Sequence, residues 1–276
     1  MSYKNDIDIN KRLHEHVLYA INTYNKDWFV LCLQGSQNYG MADENSDIDS
    51  KILLIPSLND LVLNKAAISH TLEMPDNQEH VDCKDVRDYF KIFRKSNINF
   101  VEILFTDYWI VNHKYADLWL ELRRRNEELA RINPYAAVSC MGGMSKEKYH
   151  SLTHEYPSRM PWIKKYGYDP KQLSHLLRIY YFIKLYTINT PYKDCIYLKN
   201  NDIREMLLKY KRNGNGLNKE QALALGEEIS KEIDNIVAKF RNIYKNENDK
   251  ELDNFLNNIL YRLICRALKE EIMISS

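Results

Sequence analysis

"LQGSQNYGMADENSDIDSKILLI", residues 33–55, sets a Gly-Ser turn and two alternating aspartates between apolar runs, and its reading decides the fold. The run WFVLCLQ at 28–34, rich in Val and Leu and bounded by Gly35, predicts a buried strand. Asp47–Ile55 predicts a second strand, ended by Pro56. Strand side chains alternate faces, so Asp47 and Asp49 point the same way while Ile48 points into the core. Two carboxylates on one side at that spacing repel unless a cation sits between them. Mg²⁺ is the expected ion, because it takes hard oxygen ligands from one or two carboxylates together with substrate phosphates. Gly35 and Ser36 end the first strand and open a turn whose N–H groups and hydroxyl are available to phosphate oxygens.

Outward from this stretch, Asp8–Thr23 predicts an amphipathic helix, with Leu13, Val17, Leu18 and Ile21 on one side. Downstream come a short helical stretch at 59–65, a strand at 68–73, a polar turn PDNQ at 75–78 and a strand EHVDCK at 79–84. A helix follows from Asp85 to Lys95, in which Val86, Phe90 and Phe93 keep helical spacing and Asp85 is the expected N-cap. Beyond Asn99 the strand signal fades. Segments 100–105, 115–131, 133–142, 170–186, 202–211, 219–244 and 252–272 all read as helices, with KRNGNGL at 211–217 as a loop. The expected fold class is therefore α+β: a small mixed β-sheet with flanking helices in residues 1–130, followed by an all-α domain in 131–276.

Apolar residues make up 45% of the 276-residue chain and charged residues 28%, a balance that disfavours disorder and membrane classes. Residues 1–20 carry charges throughout and lack the apolar core of a signal peptide, and no window reaches membrane-spanning length, so no membrane association and a cytoplasmic location are expected. Five widely spaced cysteines with no C-x-x-C pair read as buried thiols. A net charge of +1 lacks the basic excess of a protein that coats long nucleic acid, while leaving local patches open.

"GSQNYG" followed by "SDIDSKILLIP" resembles the G-S…D-x-D signature of the DNA polymerase beta nucleotidyltransferase superfamily. "KSNINFVEILFTD" at 95–107 is similar to the N-P-N-x-x-E-x-L segment of a group of bacterial and phage nucleotidyltransferases that includes the RNA-ligase-associated family, with Ile98 where many members carry Pro. "GYDPKQLSHLLRIYYF" at 167–182 is similar to the K-x-x-x-H-x-x-R helix of that group. The likeness covers residues 25–185 and leaves the remainder unassigned.

The resemblance implies a third metal carboxylate on a neighbouring strand. Asp82 is the expected residue, Glu79 the runner-up, and Asp85 is better explained as a helix cap. It further implies two Mg²⁺ ions on Asp47, Asp49 and Asp82, a nucleoside triphosphate as substrate, in-line attack by an acceptor hydroxyl that Asp82 helps deprotonate, and release of pyrophosphate. Lys171, His175 and Arg178 fall on one face of one helix and suit triphosphate or acceptor contacts, with a solvated polar face as the other reading. The expected activity is nucleotidyl transfer from NTP to a hydroxyl, an RNA end being favoured slightly over a protein side chain, as in AMPylation, or a small molecule. The alternative is a catalytically silent nucleotide-binding module, such as an antitoxin-like partner.

Three further features take two readings each. Glu102 in an apolar segment reads first as a structural ion-pair partner and second as catalytic. Arg123, Arg124 and Arg125 read first as a solvated face and second as a nucleic-acid contact. The stretch 144–168, MSKEKYHSLTHEYPSRMPWIKKYGY, mixes basic and aromatic residues without a regular period; Tyr149, His154 and Trp162 there are candidates for stacking on a base, or the stretch is an ordinary connection.

Overall fold

Phe, Val, Leu and Cys at 29–33 are all buried, and the run forms β1 (Trp28–Gln34), an inner strand of a five-stranded sheet. β1 pairs antiparallel with β2 (Asp49–Leu54), and β2 pairs in parallel with β4 (His80–Asp85). β3 (Ser69–Glu73) and β5 (Trp109–Val111) are antiparallel edges, giving the order β3-β4-β2-β1-β5. The computed structural model describes residues 8–43, 46–75 and 79–275; three residues of the PDNQ turn, 76–78, lie outside them.

One face of the sheet is covered by α1 (Ile9–Tyr24), whose first turn is capped by the Asp8 carboxylate accepting from the Lys11 N–H. Its apolar stripe, Ile9, Leu13, Val17 and Ala20, packs on Leu31, Leu33, Ile52, Leu54, Val81 and Cys83. Each such Leu or Val taken from water contributes about 1.5–3 kcal/mol, so the amphipathic pattern alone is enough to dock the helix.

Chain connections run through α2 (Gly35–Asn38), a single turn, and α3 (Leu58–Val62), closed by a Ser57–Asp60 capping box. The opposite face receives α4 (Val86–Phe93) and α5 (Ile98–Val101), the latter running into a 3₁₀ turn at Glu102–Leu104. Asp85 caps α4 as expected, accepting from the Arg87 N–H at 2.8 Å. Tyr89 and Phe100 stack there at 5.8 Å.

α6 (Ala116–Arg124) and α7 (Asn126–Leu129) replace the single helix expected over 115–131, because the backbone leaves the helical region at Arg125. β5 lies in a stretch where no strand was expected. Three residues on an edge are too few to show a period.

The chain divides into two units, 1–133 with 248–276, and 134–247. The second unit is all-α: α8 (Pro134–His150), α9 (Met160–Tyr166), α10 (Pro170–Thr187), α11 (Tyr192–Tyr197), α12 (Asn201–Asn213) and α13 (Lys219–Ile243). α8 runs eight residues past its expected end. Gly142 lies inside it, where a Cβ would come 2.9 Å from Val237 Cγ2, so the glycine serves close packing against α13 and does not end the helix.

The last helix, α14 (Lys250–Ser275), was expected in the helical domain and belongs to the first unit. Ion pairs tie it there, among them Arg94–Asp253 at 2.5 Å, Arg262–Glu121 at 2.7 Å and Arg266–Asp117 at 2.7 Å. The bonds from Arg266 hold the Asp117 carboxyl down at about 2. Among the described residues no helix is long and apolar enough to cross a membrane. The thiols of Cys32, Cys83 and Cys195 are buried as expected, and burial pushes Cys83 up to about 12, whereas Cys265 is exposed.

Leu263 on α14 is fully buried. Leu263→Ala is expected to lower stability by about 2–5 kcal/mol, read as a shift of the urea midpoint of the transition followed by tryptophan emission.

Candidate metal centre

Parallel pairing of β2 with β4 places Asp49 opposite His80, Lys51 opposite Asp82 and Leu53 opposite Lys84. By strand alternation Asp49, Lys51, His80, Asp82 and Lys84 share one face, while Ser50, Ile52, Val81 and Cys83 share the face under α1. Asp47 lies two residues before β2, outside the strand expected to begin with it, and the fully buried Ile48 between them anchors the approach.

Ligating atoms of Asp47, Asp49 and His80 all lie within 4.8 Å of one another. His80 Nδ1 is 3.4 Å from Asp49 Oδ1 and 3.8 Å from Asp47 Oδ2. Donors about 2.1 Å from a shared ion are at most about 4.2 Å apart, so both imidazole distances fit a single divalent cation. Two carboxylates suit Mg²⁺ or Mn²⁺, and the imidazole extends the set toward Mn²⁺ and Zn²⁺. His80 was not singled out in the sequence, since only the strand register makes it a neighbour of Asp49.

Gly35, the residue after β1, meets this group. Its φ of +73° lies in the left-handed region, and a Cβ there would stand 3.1 Å from Asp49 Oδ2. Gly35, Asp49, Lys51, Asp82, Lys84 and Glu102 contribute to the lining of a pocket of about 300 Å³. Ser36, the other residue of the turn, does not line it.

Asp82 lines the pocket without joining the metal group. Its carboxylate is paired with Lys51 and, at 3.1 Å, with Lys84. Lys51 is 2% exposed, and its ammonium also sits 4.3 Å from the centre of the Phe100 ring. Glu102 is buried at the pocket wall.

Glu79, the runner-up, serves the other side of the sheet. It accepts from Arg12 Nε at 2.9 Å and Nη2 at 2.8 Å, and lies 3.0 Å from Nε2 of the fully buried His16. His16 Nδ1 is 2.9 Å from the Ser50 hydroxyl. Burial holds His16 below its ordinary value of 6.5, against the opposing pull of Glu79. A neutral ring satisfies both contacts in one way: Nε2–H donates to Glu79 and Nδ1 accepts from Ser50. Ser50 and Glu79 are the chain neighbours of Asp49 and His80, so this network fixes both strands beneath the metal group.

Arg123 is not a solvated residue. It donates to the Thr106 carbonyl at 2.6 Å and lies over the Trp109 and Trp119 rings. Arg125 likewise pairs with Glu128 and Glu251.

Lys171, His175 and Arg178 all lie on α10 in the second unit, Lys171 exposed and Arg178 buried. The ring of His175 is held well below the ordinary value, first by burial and then by the charges of Arg178, Lys171, Lys148 and Lys211. No protein-family model matches the chain, and no curated protein matches it in sequence.

Gly35→Ala is expected to cost about 1–2 kcal/mol from the left-handed backbone alone and to weaken divalent binding by displacing Asp49; thermal melts with and without Mn²⁺ read the two effects separately. A second expectation concerns acid. A histidine whose folded pKa is lowered leaves stability intact above 6.5 and removes it as pH falls below that value, because the unfolded chain binds the proton more readily. The melting temperature should fall from pH 6.5 downward, and His16→Gln should flatten that slope while lowering stability at pH 8.

Proposed function

We propose that the first unit is a divalent-metal-dependent nucleotidyltransferase that moves a nucleoside monophosphate from an NTP to an acceptor hydroxyl. The observation that carries this reading is the pocket, which gathers Gly35, Asp49, Asp82 and Glu102, from three separate stretches of the sequence, beside the acidic group. Neither the Gly-Ser turn nor the D-x-D pattern is specific alone; the convergence of one residue from each, Gly35 and Asp49, on one cavity is what supports the assignment.

Asp47, Asp49 and His80 would hold the cation, which when bound neutralises triphosphate charge and polarises the phosphoryl oxygens. Gly35 leaves room for phosphate oxygens where any side chain would crowd Asp49. Lys51 and Lys84 place positive charge along the pocket, matched to a triphosphate and to the pyrophosphate that leaves. Asp82 would take the proton of the attacking hydroxyl, giving up part of its pairing with Lys51. A second ion would require Asp82 to exchange both lysines for metal, so one ion is the better-supported number.

The pairing of Asp82 with two lysines also favours a second reading, a module that binds nucleotide without turnover. Incubation with each α-³²P-labelled NTP and Mg²⁺ or Mn²⁺ separates the two. The enzyme transfers label to an acceptor, and Asp49→Asn lowers the rate at least about a hundredfold. Nucleotide binding with no transfer under any condition supports the module. Absence of both overturns the site.

A further inference from the structure

α9 (Met160–Tyr166, MPWIKKY) buries none of its side chains, although most of them are apolar or aromatic. Trp162 is exposed and Tyr166 half-buried on this helix, and apolar surface rimmed by charged residues is characteristic of binding surfaces. Trp162, 40% exposed, and Tyr166 lie one helical turn apart with their rings nearly parallel, interplanar angle 12° and centroids 6.0 Å apart. In the preceding segment Tyr156 is 47% exposed and lies 4.4 Å from the His154 ring.

Cations are interleaved with these rings. The Arg159 guanidinium stands 4.9 Å from the centre of Tyr156, and the Lys165 ammonium 4.9 Å from that of Tyr166. Lys164 and Lys165 are both exposed, and neither has a carboxylate partner among the described residues. Arg159 is shared with Asp169 at 3.6 Å. Residues 159–166 therefore carry three positive charges and no acid.

We infer that this face of the second unit, built from Tyr156, Trp162, Tyr166, Arg159, Lys164 and Lys165, is a platform for single-stranded RNA. Flat rings offer stacking to unpaired bases of any identity, while the adjacent cations meet the phosphates between them. A duplex hides its base faces, which selects a single strand. RNA exposes unpaired segments as a matter of course where cellular DNA is paired, which selects RNA. Phosphatidylserine surfaces also attract basic and aromatic side chains, but a helix of seven residues presents too little apolar area to anchor there. The inference deepens the proposed nucleotidyl transfer by naming the acceptor class, and it rests on that reading only for the word acceptor.

The test measures anisotropy of a fluorescein-labelled oligouridine of about 12 nucleotides with the full chain in EDTA, so that the metal group plays no part. The wild type should bind it in preference to the matching deoxythymidine oligomer, to duplex RNA and to phosphatidylserine vesicles, with quenching of the Trp162 emission identified by its loss in Trp162→Phe. Trp162→Ala with Tyr166→Ala should weaken binding at least about tenfold. Lys164→Glu with Lys165→Glu should weaken it and reduce the slope of log K against log salt by about 1–2. Circular dichroism checks that these surface variants fold. Equal affinity of the aromatic variant, equal or tighter binding of DNA or duplex, or partition to vesicles without RNA binding each overturns the platform. RNA binding without any nucleotidyl transfer overturns the proposed activity and leaves the platform standing; transfer to another acceptor without RNA binding does the reverse.

Discussion

The parallel register of β2 on β4 is the constraint from which the pocket follows. It sets Lys51 against Asp82 at a position where the lysine is almost wholly removed from water. An ammonium in such a place costs several kcal/mol unless paired. The Asp82 carboxylate and the face of Phe100 supply that pairing. Slipping the strands by one residue would leave Lys51 against Val81 or Cys83 and turn Ile52 toward the pocket. The pair therefore acts more as a penalty on wrong registers than as a source of net stability. Once the register is set, Asp49 and His80 are neighbours by necessity.

The same alternation makes each strand end serve two faces. In Asp49-Ser50 and Glu79-His80, one residue of each dipeptide points to the metal group and the other to the buried network of His16 and Arg12. α1 is thus joined to the site through the sheet, by hydrogen bonds with defined directions as well as by its apolar stripe. A site whose donors are a third or more exposed is held in place from below by the fully buried His16 and Ser50, with Glu79 and Arg12 at their edge.

What could be read from the sequence was whatever a single segment determines. The apolar run at 28–34, the stripe of Asp8–Thr23, the cap at Asp85 and the two aspartates flanking the buried Ile48 each depend on near neighbours along the chain. His80, the ion pair of Asp82 and the diversion of Glu79 depend on which strand lies beside which, and no local period encodes that. The misplacement of α14 has the same origin: an amphipathic helix shows that it needs an apolar partner without showing whose, and Arg94, Asp117 and Glu121 lie more than 130 residues upstream of their partners. Gly142 misled for a different reason. A glycine in a helix weakens it locally, and only the approach of Val237 explains its presence.

Charge shows the same division between average and local information. A net charge of +1 excludes a uniform field that would draw long nucleic acid to the whole surface. It says nothing against three cations, one of them shared with Asp169, set among aromatic rings over eight residues, because at physiological salt a charge acts over about 8 Å. Among the described residues Lys164 and Lys165 form no ion pair, whereas Lys146 is paired with Asp234 and Lys231 with Glu227 elsewhere in the same unit. Net charge averages over the whole chain, and only the placement of side chains shows where basic and aromatic residues are set together.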